Sequence, residues 1–239
     1  MKHILFDEII HKSKATSTMK IAESYIRNQT KFGNFLVVAD EQSGGRGRGK
    51  NIWHSPAGGL WMTAALQNLN VGANLTLFVG VCIRRALALT APDVLLKWPN
   101  DIYYGNRKLS GILTNALTHH HYHVIGIGIN TNVENFPPEL NAISLSKITG
   151  KPVDNEAVTI SIFDQVAAEL PNYIQNGLMP YIEDFRSHHL LNGKVVTLDT
   201  GFQEFTGQVK GVSSKGALLM ELKDGMIQPF FSGTIIAVR

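Results

Sequence analysis

The chain has 239 residues, with 22 Lys and Arg against 19 Asp and Glu, a formal charge of +3 at pH 7 and 44% hydrophobic residues. That balance excludes a disordered or low-complexity chain and gives only weak general attraction to nucleic acid; the length suits one domain, or one with a small appendage. The single cysteine, Cys82, excludes an intrachain disulfide and a multi-cysteine zinc site, and points to a reducing, cytoplasmic compartment.

Residues 4–10 read as a first strand, and the charged residues among them argue against a signal peptide. Thr16, Ser17 and Thr18 offer N-caps to a helix carrying Ala22, Tyr25 and Ile26 on one side. Residues 35–40 form a short apolar run, predicted as a buried strand. Residues 41–51 follow, with Gly44, Gly45, Gly47 and Gly49 among basic residues, and are expected to be irregular. A strand is predicted at 60–66, then a buried helix at 75–90. Arg84 and Arg85 interrupt that apolar stretch before it reaches bilayer length, so no membrane span is expected.

A strand at 94–98 ends in KWPND (97–101). Residues 102–104 and 109–117, joined through Gly105-Asn106, read as a β-hairpin, with a further strand at 121–129. The histidines at 119–121 and 123 lie between two strands and read as an exposed turn, since adjacent side chains diverge too much for a tetrahedral metal site. Helices are predicted at 157–170 and 180–189. From Lys194 onward, short β-branched runs alternate with turns at Thr200-Gly201, Lys215-Gly216 and Asp224-Gly225, which suggests a small five-stranded β-barrel.

Four patterns carry chemistry. In the loop, Arg46, Arg48 and Lys50 alternate with glycines, so cations and backbone amides can converge on a carboxylate or phosphate. No Gly-Lys-Ser/Thr follows, so it is not a Walker A loop; taken alone, it is equally a solvated loop touching nucleic acid. Lys97, Asn100 and Asp101 close a strand and could serve a phosphate and Mg²⁺, or simply form a turn. Lys108 opens the strand KLSGIL, and is expected on a strand adjacent to that of Lys97, with both facing one pocket. Gly126 and Gly128 interrupt a strand just before Asn130, as close approach of a ligand requires. Cys82, mid-helix among apolar residues, reads as a buried structural thiol.

The ordered set resembles the biotin–protein ligases over essentially the whole chain. It comprises Ser17-Thr18, the loop from Gln42 to Trp53, KWPND, KLSGIL, the segment from Gly126 to Asn130 and the terminal barrel. The resemblance implies an α+β fold. A class II synthetase-like catalytic domain of mixed β-sheet packed with helices would occupy 1–190, and an SH3-like β-barrel 191–239. It implies formation of biotinyl-5′-AMP from biotin and ATP with Mg²⁺, then transfer of biotin to a lysine of a biotin carboxyl carrier protein. Ser17, Thr18, Gln42, Gly45, Arg46, Lys108 and Gly111 would then surround biotin. Arg48, Trp53, Lys97, Asn100 and Asn130 would serve ATP, Asp101 the metal, and Lys108, Arg46 and Arg48 catalysis. The family includes monomers and homodimers. The pattern begins almost at Met1, so no helix-turn-helix and no specific DNA binding are expected. Met19 stands where the family usually has Asn, and Lys50 alone is basic between Arg48 and Trp53. A lipoate–protein ligase is the rival enzyme, and a nucleic-acid-binding module the rival from another class.

Overall fold

The computed structural model describes residues 1–30, 33–72 and 74–239. Its main body is a seven-stranded mixed sheet in the order β1-β2-β3-β7-β6-β5-β4. These strands are β1 (Glu8–Ala15), β2 (Phe35–Gln42), β3 (Leu60–Gln67), β4 (Val94–Lys97), β5 (Asp101–Tyr104), β6 (Arg107–Leu117) and β7 (Tyr122–Ile129). β1 and β2 are parallel, with α1 (Thr18–Arg27) as their crossover; the other pairs are antiparallel. α2 (Leu75–Ala88), α3 (Leu145–Thr149), α4 (Asn155–Asn176) and α5 (Ile182–Ser187) complete this body. Among the described residues no helix is long and apolar enough to cross a membrane.

The first strand starts later than the apolar run suggests. Ile4 is solvated, while Phe6 is buried and meets the Phe163 ring edge-on at 4.7 Å between centroids. The apolar run thus tethers the N-terminus to α4. The strand begins at Glu8, and its exposed His11 and Lys14 suit a sheet edge that must not recruit another strand. Two helical expectations also change. α4 continues through Pro171 to Asn176, since one missing N–H does not outweigh burial of Phe163, Val166 and Tyr173 on its core side. Residues 180–189 divide into a 3₁₀ turn over Met179–Tyr181 and the short α5.

The second sheet is antiparallel, in the order β11-β10-β9-β8-β12, and gives the SH3-like unit of the α+β fold. It consists of β8 (Val195–Asp199), β9 (Glu204–Val212), β10 (Leu218–Leu222), β11 (Ile227–Phe230) and β12 (Thr234–Val238). Its buried Val196, Leu198, Val209, Leu218 and Met220 belong to the same apolar cluster as Phe78, Ile83 and Trp98 of the main body. Polar ties reinforce this junction. Trp98 Nε1 donates to the Gly216 carbonyl at 3.0 Å, and Arg186 Nε to that of Val212 at 3.0 Å.

Candidate active site

One cavity of about 340 Å³ opens where the basic loop, α1, β6, β7 and the small sheet meet. Its floor is made by glycines. Gly111 of β6 lies directly opposite Gly128 of β7, and Gly126 opposite Leu113. The Trp53 indole rests on the first pair. A Cβ added at Gly111 would fall 2.8 Å from its Cζ3, and one at Gly128 2.5 Å from its Nε1. Met19 covers Gly126, where an added Cβ would fall 2.8 Å from its sulfur. These glycines therefore do what glycines in strands often do: they let a ring approach the backbone.

The loop between β2 and β3 is more ordered than its glycines suggest. Gln42 bridges to Ser55 and Arg46 to Ile52, while Gly47 N–H donates to Asn51 at 2.8 Å and Trp53 N–H to Gly45 at 3.0 Å. Within this small hairpin, Arg46 lines the cavity and remains exposed. Arg48 turns inward. It donates to the Gly233 carbonyl of the small sheet at 2.9 Å and to Asn100 Oδ1 at 3.4 Å. Burial pulls its pKa down and Asp101 counteracts this. Lys50 is exposed and is not among the cavity-lining residues.

Lys108 and Asp101 face each other across the cavity wall, Nζ to Oδ1 at 2.7 Å, with the ammonium 5.1 Å from the centre of the Trp53 ring. Asn100 is fixed by its Nδ2, which donates to the Ile112 carbonyl at 2.9 Å. The far end is neutral and polar, formed by Ser17, Thr18 and Gln42. The cavity therefore offers a hydrogen-bonding end, an apolar middle along Ile112, Leu113 and Ile127, and a cationic end with one carboxylate.

Three residues expected at the site do not line this cavity. Gly45 is buried behind it, and a Cβ there would fall 2.5 Å from the Trp53 carbonyl. Asn130 is buried, its Nδ2 donating to the Lys108 carbonyl at 3.3 Å. Lys97 is separated from Lys108 by β5, so the two are not on adjacent strands. Its ammonium lies over the Tyr103 ring at 4.7 Å and donates to that hydroxyl at 3.3 Å. Burial lowers the Lys97 pKa and raises that of Tyr103 to about 12.

The histidines after β6 form an exposed 3₁₀ turn over Thr118–His120, closed by His121 in the left-handed region. Among the described residues no cluster of three or more His, Cys, Asp or Glu could hold a metal. Cys82 is buried and its pKa is pushed up to about 12, as an inert thiol requires. Sequence reasoning missed Ser55, Thr63, Gly233 and Thr234. The first two lie behind the cavity, hydrogen-bonded to Gln42 and Thr18; the others come from the small sheet, with no local pattern to mark them.

Residues 12–132 match the biotin/lipoate A/B protein ligase family, and residues 192–237 match the biotin protein ligase C-terminal domain. The chain is 32% identical over 246 residues to the bifunctional ligase/repressor BirA of Bacillus spizizenii, covering 98% of this chain and 74% of that protein. It is 28% identical over 205 residues to the biotin–[acetyl-CoA-carboxylase] ligase of Paracoccus denitrificans, covering 79% of this chain and 84% of that protein. Among solved structures, the biotin protein ligase from Aquifex aeolicus in complex with biotin and ATP superposes with a TM-score of 0.86 and 30% identity. That match covers 98% of this chain and 99% of the other.

Proposed function

The chain belongs to the biotin/lipoate A/B protein ligase family, and from that premise we propose how it works as a biotin–protein ligase. It activates biotin with ATP to biotinyl-5′-AMP and passes biotin to a lysine of a carrier protein. The observation that carries the site assignment is one cavity with Thr18 and Gln42 at its neutral end and Arg46, Arg48 and Lys108 at its cationic end. A ureido ring has hydrogen-bonding groups for the first, and a carboxylate meeting a phosphate needs the second. The dithiolane of lipoate offers nothing to Thr18 and Gln42, so the lipoate alternative is not favoured.

In the first half-reaction a biotin carboxylate oxygen attacks the α-phosphorus of ATP and pyrophosphate leaves. Two anions must approach, and their mutual repulsion opposes the step. Lys108 and Arg48 offset it and stabilise the charge that grows at phosphorus, in a site where fixed cations need no reorganisation. In the second half-reaction the carrier's neutral lysine amine attacks the acyl carbon and AMP leaves. Arg46 lines the cavity as a further cation, and Asn100 steadies Arg48.

Mg²⁺ fits this chain as a companion of the nucleotide. Asp101 supplies one carboxylate at the cationic end, which matches a cation held by one or two carboxylates together with substrate phosphates. When bound, it would neutralise phosphate charge. Asp101 would hold it, exchanging part of its contact with Lys108. The acceptor is a carboxylase carrier domain, and the inert Cys82 is compatible with work in the cytoplasm.

The test is biotin-dependent ATP–pyrophosphate exchange, with lipoate as competitor, followed by streptavidin detection of a labelled carrier domain. Exchange with biotin that lipoate does not inhibit is expected. No exchange with biotin would overturn the reading.

A further inference from the structure

Thr18 and Gln42 meet the cavity with a fixed polarity, and two residues that do not line it set that polarity. We propose that Ser55 and Thr63 are positioning residues which orient Gln42 and Thr18 toward the substrate ring and thereby select a cyclic urea. This rests on the biotin–protein ligase reading and deepens it.

The chain of bonds has one direction. The Thr18 backbone N–H donates to Gln42 Oε1 at 2.8 Å, so the amide oxygen must face it, because a nitrogen there would oppose donor to donor. The Thr18 hydroxyl donates to the same oxygen at 3.1 Å. Gln42 Nε2 donates to Ser55 Oγ at 2.9 Å. Ser55 has one proton and gives it to the Trp53 carbonyl at 3.1 Å, so it can only accept from Gln42. At the other end, Thr63 Oγ1 donates to Thr18 Oγ1 at 2.8 Å.

The inventory then closes. Gln42 retains one Nε2 proton, and Thr18 Oγ1 one lone pair, for a ligand. A cyclic urea matches that pair, since its carbonyl accepts and its N–H donates. Ser55 and Thr63 themselves are 4% and 0% exposed, so they act through their neighbours. Gly45 belongs to the same device. A Cβ there would fall 2.6 Å from Ser55 Oγ and 3.2 Å from Gln42 Nε2, in the space the bond occupies.

The experiment is steady-state pyrophosphate exchange by the full chain as wild type, Ser55→Ala, Thr63→Val and Thr63→Ser. Each is assayed with biotin and with 2-iminobiotin, which presents N–H where biotin presents its ureido oxygen. Loss of one neutral hydrogen bond corresponds to roughly tenfold. Ser55→Ala and Thr63→Val should each raise KM for biotin about tenfold, with kcat and KM for ATP within about twofold. In Ser55→Ala the preference for biotin over 2-iminobiotin should also shrink, because the Gln42 amide loses the anchor of its Nε2 and is held by Thr18 alone. Thr63→Ser keeps the hydroxyl and should restore wild-type values.

Unchanged KM for biotin would overturn the proposal, as would a parallel fall of kcat and both affinities that follows lost thermal stability. If Thr63→Val does not fold, Ser55→Ala and its analogue preference decide alone. Wild type inactive with biotin would instead overturn the function itself.

Discussion

In the proposed mechanism Lys108 places a positive charge where two anions have to meet, and in the structure its ammonium is held by Asp101 and the Trp53 face. Lys108→Ala removes that charge without opening the core, because the ammonium lies at the cavity wall and is partly solvated. Adenylation should fall roughly hundredfold to thousandfold, the effect of removing one group aimed at developing charge. Circular dichroism and the melting temperature should change little, and adenylation near wild type would remove Lys108 from the reaction. His189 supplies a different kind of test. It is buried, accepts from the Trp98 N–H at 3.2 Å, and its pKa is pushed down to about 4 by burial. The unfolded chain therefore binds a proton, near pH 6.5, that the folded chain refuses until about pH 4. Stability should be unaffected by this group above pH 6.5 and fall as pH drops through that window, by up to about 1.4 kcal/mol per pH unit. His189→Gln should flatten that part of the slope in urea titrations; an unchanged slope would mean that His189 is protonated in the folded state.

At the scale of elements, the basic loop makes the sharpest statement. Arg48 ties it to Asn100 and to the Gly233 carbonyl, while Gly49 has φ +61° with open space around it. Arg48→Gly removes the tie and adds another glycine, so the loop must be ordered at greater entropic cost. A charge-assisted hydrogen bond is worth about 1.5–3 kcal/mol, so labelled biotinyl-AMP should escape roughly tenfold to a hundredfold faster. Serum albumin present as a bystander should then become biotinylated. Unchanged release with intact adenylation would assign retention to Arg46 or Lys50. The loop, the glycine floor and KLSGIL were legible in sequence because backbone permissiveness and alternating charge leave local marks. Strands β2, β3 and β7 were legible because their apolar runs are buried in the sheet. The start of β1 was not, because an edge strand can be polar and the apolar run before it serves as a tether. The separation of Lys97 from Lys108 was hidden by β5, whose two neighbours in the sheet cannot be counted from spacing alone. Ser55 and Thr63 leave no mark at all, since their role exists only through bonds across the fold.

The two sheets share one apolar core, and a second, smaller cluster with Ala22, Ile26, Phe35 and Val37 lies between α1 and the larger sheet. Buried residues of β8, β9 and β10 pack in the same cluster as those of α2, α4 and the larger sheet. Trp98 lies at the junction, 2% exposed, with its indole N–H on the Gly216 carbonyl and its backbone N–H on His189. Its neighbours in sequence, Asn100 and Asp101, line the cavity, and so does Thr234 from the smaller sheet. The small sheet therefore supports the site both directly and through the KWPND turn. Two outcomes are expected. Calorimetry should show a single cooperative unfolding transition, because neither sheet can lose its partner without exposing shared apolar surface. Trp98→Phe keeps the ring and removes one buried hydrogen bond, so it should cost about 1 kcal/mol of stability. The loss should be felt at the nucleotide end first, as a severalfold rise in KM for ATP with KM for biotin held, since Thr18 and Gln42 stand on α1 and β2, away from the junction. Two resolved transitions, or a Trp98→Phe variant with both constants unmoved, would show that the small sheet is an independent body that merely rests against the catalytic one.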